Sequence, residues 1–128
     1  MKKILTAAFC AAMASPALAQ GWPTGYEGVI LQGFYWDSYS DSQWKNLEKQ
    51  APELGSYFSL LWVPQSGKCL EEHNVMGYTP YYYFDQNSSF GSEAELRSMI
   101  RAMHQNGVGV LADVVINHHN TSGWVSFP

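Results

Sequence analysis

The chain has 128 residues, and its 7 Lys and Arg are outnumbered by 11 Asp and Glu, which gives a formal net charge of −4. No run of basic residues is available to meet phosphates, so the composition argues against a nucleic-acid partner. Aromatic residues make up 15% of the sequence. Several lie at predicted strand ends and loops, where their flat faces suit sugar rings or pack into a core: Trp22, Trp36, Tyr78, Tyr81 and Tyr82.

The first 19 residues have the three parts of a secretory signal peptide. A basic start, Met1-Lys-Lys, leads into an apolar run over residues 4–14, and residues 15–19 end in the small residues that a signal peptidase reads. The run is too short for a transmembrane span, and a buried N-terminal helix is the alternative. We therefore expect cleavage after Ala19, export to the periplasm or the medium, and a mature chain that begins at Gln20 and has no membrane partner.

The rest of the chain alternates between strand patterns and helix patterns. Three nearly continuous apolar runs predict strands that are covered on both faces: residues 28–36, 57–63 and 108–116. Between them, apolar residues recur at spacings of three and four over residues 41–54 and 92–107, and the second stretch opens with a capping box of Ser92 and Glu95. This order predicts an α/β fold with a parallel sheet built from βα units.

The third predicted strand ends in the polar part of "DVVINHH", residues 113–119. The carboxyl ends of parallel strands meet at one edge of the sheet, where ligands bind, so Asn117 and His118 should lie at that rim. An Asn oxygen suits Ca²⁺, and a His can hydrogen-bond a hydroxyl; a turn asparagine and a structural histidine are the alternatives. Asp113, inside an apolar strand, should need a buried structural partner.

The connection over residues 64–91 is longer than an ordinary βα loop, which is typical of functional or mobile segments. It carries Met76-Gly-Tyr-Thr-Pro80, in which Gly77 and Pro80 fix the backbone on either side of Tyr78. Tyr78 is therefore either a rigid, exposed stacking platform or part of a packed hydrophobic loop. No nucleophile triad, phosphate-binding loop or pair of carboxylates for glycoside chemistry is evident in the sequence.

From about residue 28 to residue 120, the chain resembles the N-terminal part of a secreted α-amylase of glycoside hydrolase family 13. The strongest match is Asp113-Val-Val-Ile-Asn-His118, which fits the family motif D-x-x-x-N-H at the end of barrel strand three. The second is Gly77-Tyr78, after strand two. The stretches "GVILQGFYWDS" and "FGSEAELRSMIRAMHQNGVGVLADVVINH" are similar to those of cereal amylases and related bacterial ones.

The resemblance implies that residues 20–128 form about three βα units of a TIM (β/α)8 barrel, incomplete and ending near the domain inserted after strand three. It also implies cleavage of internal α-1,4 bonds of starch, glycogen or maltooligosaccharides with retention. Tyr78 would stack on the sugar at the cleavage subsite, and His118 would hydrogen-bond that sugar. Asn117 would ligate a structural Ca²⁺, and Asp113 would be structural.

The sequence departs from the family in two respects. Many members have Asp where this chain has Tyr82. The cereal-like group also lacks an acid there, so the difference is interpreted as a character of that subgroup, and it leaves the fine substrate preference open. The family's catalytic carboxylates belong to strands four, five and seven, so we expect a fragment that neither folds stably nor hydrolyses starch alone. The alternatives are another family 13 activity, a non-catalytic sugar-binding barrel and an exported α/β domain with an unrelated ligand; Cys69 and His119 receive no role.

Overall fold

The computed structural model describes residues 27–69 and 76–120. The predicted signal peptide and Trp22 lie outside the described residues. In chain order the elements are β1 (Ile30–Gln32), a 3-10 turn (Ser38–Ser40), α1 (Trp44–Leu54), β2 (Leu60–Val63), β3 (Lys68–Cys69), β4 (Pro80–Tyr82), α2 (Glu93–Gln105) and β5 (Gly109–Ala112). Among the described residues, no helix is both long enough and apolar enough to cross a membrane.

The predicted parallel sheet is confirmed. β2 lies in the middle and pairs in parallel with β1 on one side and with β5 on the other. The long connection after β2 is more ordered than predicted, because β3 and β4 form a short antiparallel ladder of their own. Tyr81 and Tyr82, which the sequence placed in a loop, therefore belong to a strand.

Each parallel strand is shorter than the apolar run that predicts it. β5 ends at Ala112, which pairs with Val63, the last residue of β2; past that point only the Asp113 amide continues the ladder, to the Val63 carbonyl at 3.2 Å. The prediction that Asp113 lies inside the strand is therefore wrong by one residue. Val114 and Ile116, expected inside the third predicted strand, follow as exposed chain.

Both helices cover the same face of the sheet and pack against each other. Leu31, Leu61 and Val110 stand in register across the three strands and face the helices. Each helix buries the stripe that its three- and four-residue spacing predicts, and these residues form most of the core: Trp44, Leu47, Ala51 and Leu54 of α1, with Leu96, Met99 and Met103 of α2.

The opposite face of the sheet carries the alternate residues of the strands. This open face consists of Ile30, Gln32, Leu60, Trp62 and Leu111. Its Ile30 and Trp62 side chains are 44% and 38% exposed. The prediction that the strands are covered on both faces is therefore wrong for the part of the chain that the structure describes.

The helix ends differ from the sequence pattern for local reasons. α1 begins at Trp44 rather than at residue 41, because the amides of Asp41 and Ser42 bond to the Ser38 carbonyl and complete the 3-10 turn. Gly55, which directly follows α1, has a right-handed backbone, so the requirement for glycine there is steric. A Cβ there would lie 2.4 Å from the Asn106 carbonyl oxygen, at the end of α2.

Candidate functional site

The site begins where β2 ends, with a side chain that the sequence reasoning missed. Gln65 is buried, its Nε2 donates to the carbonyl oxygen of Gly77 at 3.0 Å, and its Oε1 accepts from the amide of Gly67. Gly77 has φ 95°, and a Cβ there would lie 2.8 Å from the Gln65 carbonyl oxygen. Glycine is thus required by conformation and by space, and the backbone that leads into Tyr78 is held against the end of the strand.

Tyr78 is half-buried and packs against the hydrophobic core, so it combines features of both alternatives, the exposed platform and the packed loop residue. Its hydroxyl donates to a carboxylate oxygen of Asp113 at 3.2 Å. Burial, and then the charge and the hydrogen bond of Asp113, raise the pKa of Tyr78 above its ordinary value. The phenol therefore stays protonated and keeps donating to Asp113 above the pH at which an exposed tyrosine ionises.

Trp36, from the segment after β1, completes the surroundings of the Tyr78 ring. The two rings are stacked with centroids 6.2 Å apart and planes 7° from parallel, an offset arrangement that aromatic pairs favour. Trp36 is 67% exposed. The backbone turns just beyond it at Asp37, which has φ 65°. Together the two rings present a stepped aromatic surface at the carboxyl edge of the sheet.

The end of β5 supplies the remaining predicted residues. Asp113 is half-buried and meets Tyr78 as described, and the Nε2 atom of His118 lies 2.9 Å from the Tyr78 carbonyl oxygen. A carbonyl only accepts, so in this contact Nε2 carries the proton. Asn117 is exposed. The structure therefore brings together three residues predicted from two distant segments, namely Tyr78, Asp113 and His118.

The predicted calcium site can be compared with the oxygen atoms that the described residues offer. Ca²⁺ takes six to eight oxygen ligands, several of them carboxylates. Within residues 27–69 and 76–120 there is no group of three or more His, Cys, Asp or Glu residues that could hold a metal ion. Asn117 offers one amide oxygen, so these residues do not build a calcium site alone, and the calcium site stays a prediction.

A cleft of about 230 Å³ opens beside the site, between the ends of β2 and β5. Gln65, Asp113 and Tyr83 are among the residues that line it, whereas Tyr78 and His118 are not. Tyr83 also donates from its hydroxyl to the His118 carbonyl at 2.9 Å and meets the ring of His119 edge-on. The cleft thus adjoins the stepped aromatic surface, because Asp113 both lines the cleft and accepts a hydrogen bond from the Tyr78 hydroxyl.

Comparison with known proteins places this arrangement in a family, although no protein-family model matches the chain. A probable α-amylase 2 from Arabidopsis thaliana is 38% identical over 91 residues, which are 70% of this chain and 21% of that protein. A glucan 1,4-α-maltotetraohydrolase from Roseateles saccharophilus is 36% identical over 140 aligned positions, covering 94% of this chain and 25% of that protein. The chain belongs to the α-amylase family, glycoside hydrolase family 13.

Solved structures share this fold. The α-amylase I of Eisenia fetida superposes with a TM-score of 0.61 at 24% identity, over 75% of this chain and 19% of that one. A trehalose-6-phosphate hydrolase from Bacillus licheniformis gives a TM-score of 0.53 at 18% identity, over 60% and 14%. The expected part of a TIM barrel is thereby confirmed, as a small parallel α/β unit without a closed barrel. The chain spans about a fifth of the length of the Arabidopsis relative.

Proposed function

We propose that this chain is part of an exported α-amylase that cleaves internal α-1,4-glucosidic bonds of starch, glycogen or maltooligosaccharides with retention, and that the 128 residues alone do not hydrolyse starch. The observation that carries the proposal is the meeting of Tyr78, Asp113 and His118 at the carboxyl edge of the sheet. Ligands of parallel α/β folds bind at that edge. Membership of the α-amylase family supports the choice of a glucan as the ligand, and the signal-like residues 1–19 support export.

In this proposal the described residues bind and orient the sugar. The stepped surface of Trp36 and Tyr78 offers apolar faces to pyranose rings, and the bond to Asp113 fixes the rotation of the Tyr78 ring. The Nε2 atom of His118 already donates to the Tyr78 carbonyl. A sugar hydroxyl would therefore hydrogen-bond to Nδ1 of His118. Alternatively, Nε2 would release the Tyr78 carbonyl and donate to the sugar hydroxyl instead.

The chemical step needs two carboxyl groups, a nucleophile and an acid/base, about 5–5.5 Å apart in a retaining enzyme. Among the described residues Asp113 is the carboxylate at the predicted rim, and its oxygen is engaged by the Tyr78 hydroxyl. We therefore assign Asp113 a supporting role and assign the catalytic pair to further strands, which would close the barrel over the open face. Those strands would also supply the further oxygen ligands that a structural Ca²⁺ bound by Asn117 would need.

The proposal is tested by incubating the full exported protein that contains this chain, purified from the medium or periplasm of its host, with maltohexaose and following the anomeric protons by NMR. We expect shorter maltooligosaccharides whose new reducing ends appear first as the α-anomer, because double displacement retains configuration. New reducing ends that appear first as the β-anomer, or no cleavage at all, would overturn the proposal.

A second candidate function, a sugar-binding protein without catalysis, is favoured by one observation. The residues that meet at the site are suited to binding, and the described rim carboxylate is already engaged. The same sample distinguishes the two functions: saturable maltohexaose binding without any new reducing ends would identify the binding protein.

A further inference from the structure

Gln65 ties the carboxyl end of β2 to the backbone immediately before Tyr78. We propose that Gln65 is a positioning residue for Tyr78, which it holds at the glucan site through the carbonyl of Gly77. This inference rests on the proposed function, because it gives the Tyr78 ring the role of a glucan contact.

Both ends of the Gln65 amide are used, which fixes its orientation. Nε2 donates to the Gly77 carbonyl at 3.0 Å, and Oε1 accepts from the Gly67 amide. A rotated amide would direct its oxygen at a carbonyl and its N–H at another N–H. The side chain is 6% exposed, so water does not readily replace either partner. The position of the Gly77 carbonyl is therefore set by the end of β2.

Gly77 transmits this constraint to its neighbour. Its left-handed backbone lies so close to Gln65 that a Cβ would be 2.8 Å from the Gln65 carbonyl oxygen. Tyr78 follows directly, and its own carbonyl and hydroxyl are held by His118 and Asp113. Of these three anchors, Gln65 is the buried one, so its effect on a ligand should be exerted through the ring of Tyr78.

Gln86 provides a matched control in the same connection. Its Nε2 donates to the Tyr83 carbonyl at 3.0 Å, and its Oε1 accepts from the Ser66 hydroxyl at 2.6 Å. Replacing either glutamine by glutamate preserves the size and the accepting oxygen, removes the donor and introduces a carboxylate charge. Gln65→Glu and Gln86→Glu thus make the same chemical change, but only the first disconnects the backbone before Tyr78.

The experiment measures kcat/KM for maltohexaose in the exported protein, with Gln65→Glu and Gln86→Glu each made alone and combined with Tyr78→Ala. We expect Gln65→Glu to lower kcat/KM about tenfold, the effect of one lost buried hydrogen bond, and Gln86→Glu to stay within about twofold of wild type. In the Tyr78→Ala background, Gln65→Glu should cause no further loss, because residues that act as a unit are not additive.

The outcomes separate this inference from the proposed function. A wild-type protein that leaves maltohexaose intact overturns the function. The positioning role alone is overturned by either of two results in an active enzyme whose activity falls on Tyr78→Ala. In the first, Gln65→Glu has no effect on kcat/KM. In the second, Gln65→Glu lowers kcat/KM by the same factor with and without the Tyr78 side chain. If Gln65→Glu does not fold, Gln65→Asn, which is neutral and one methylene too short to reach Gly77, takes its place with the same two expectations.

Discussion

Tyr78 is the residue on which the account of the site depends most. Its ring stacks on Trp36, its hydroxyl bonds to Asp113 and its carbonyl accepts from His118. Tyr78→Phe keeps the ring and loses only the hydroxyl bond, whereas Tyr78→Ala removes the ring itself. We expect kcat/KM for maltohexaose to fall by less than about tenfold in the first variant and by about tenfold to a hundredfold in the second. Equal losses in the two variants would show that the ring face is not a sugar contact.

The phenol of Tyr78 should also be visible in an alkaline titration. Its pKa is raised, chiefly by burial and then by Asp113, so the folded state favours the protonated form. The stabilisation is therefore complete below the ordinary tyrosine pKa of 10.0 and is lost as the pH rises through the higher pKa of the folded state. The tyrosinate absorbance of wild type minus that of Tyr78→Phe should rise at a pH above that value, and Asp113→Asn should move this rise towards lower pH.

The residues of the site differ in how far the sequence reveals them. Tyr78, Asp113 and His118 were predictable, because strand order alone brings their segments to one edge and the family motif singles them out. The hydrogen bond of Gln65 to Gly77 and the stack of Trp36 on Tyr78 were not. Both depend on where a long connection returns to the sheet, which no local pattern encodes. The one available signal for Gln65 was a polar amide two residues after the end of a predicted strand.

At the scale of the elements, the capping box of α2 makes a measurable contribution to stability. The Ser92 hydroxyl accepts from the Glu95 amide at 3.3 Å, and the Glu95 carboxylate accepts from the Ser92 amide at 2.9 Å. Ser92→Ala should lower the free energy of unfolding by about 1 kcal/mol, as loss of an N-cap usually does. Ser56→Ala, at the exposed end of α1, is the control and should change it far less. Chemical denaturation of the exported protein measures both, and equal effects would contradict the capping role.

The same capping box should make the stability of the protein depend on pH in the acid range. Lys45 lies 2.7 Å from Glu95 and, as the largest cause, lowers the pKa of that carboxyl, with the Ser92 amide adding to the effect. The stabilisation is therefore present above the unfolded pKa of Glu95 and is lost as the pH falls through the lower folded value. Glu95→Gln should flatten the acid side of a plot of melting temperature against pH. An acid slope that this variant leaves unchanged would contradict the role of Glu95.

Element types followed from the sequence more closely than element ends did. Periodicity identified both helices and all three parallel strands, because each buries an apolar stripe or a row of residues against the same core. The ends of the elements depend on contacts that the periodicity does not show. For example, α1 begins later than predicted because the Ser38 carbonyl accepts hydrogen bonds from the amides of Asp41 and Ser42. The β3–β4 ladder escaped notice because a strand of two residues, Lys68–Cys69, has no periodicity to detect.

At the scale of the whole molecule, the helices cover one face of the sheet and leave the open face uncovered. Its exposed Ile30 and Trp62 are large apolar residues on a sheet whose other face is well packed. Such a surface normally marks an interface. In a barrel it would be the interior, filled by side chains from further strands. The described sheet therefore has the form of an opened segment of a barrel, as expected of a chain that covers about a fifth of its Arabidopsis relative.

The most direct test of the account compares two tryptophans of the exported protein by oxidative footprinting with peptide mass spectrometry. Trp62 lies on the open face and Trp36 on the stepped surface at the site. If the open face is a barrel interior and the rim binds glucan, Trp36 should be oxidised readily and protected by maltohexaose, while Trp62 should react only after denaturation. Oxidation of Trp62 together with Trp36 in the native protein, with no protection by maltohexaose, would contradict the account.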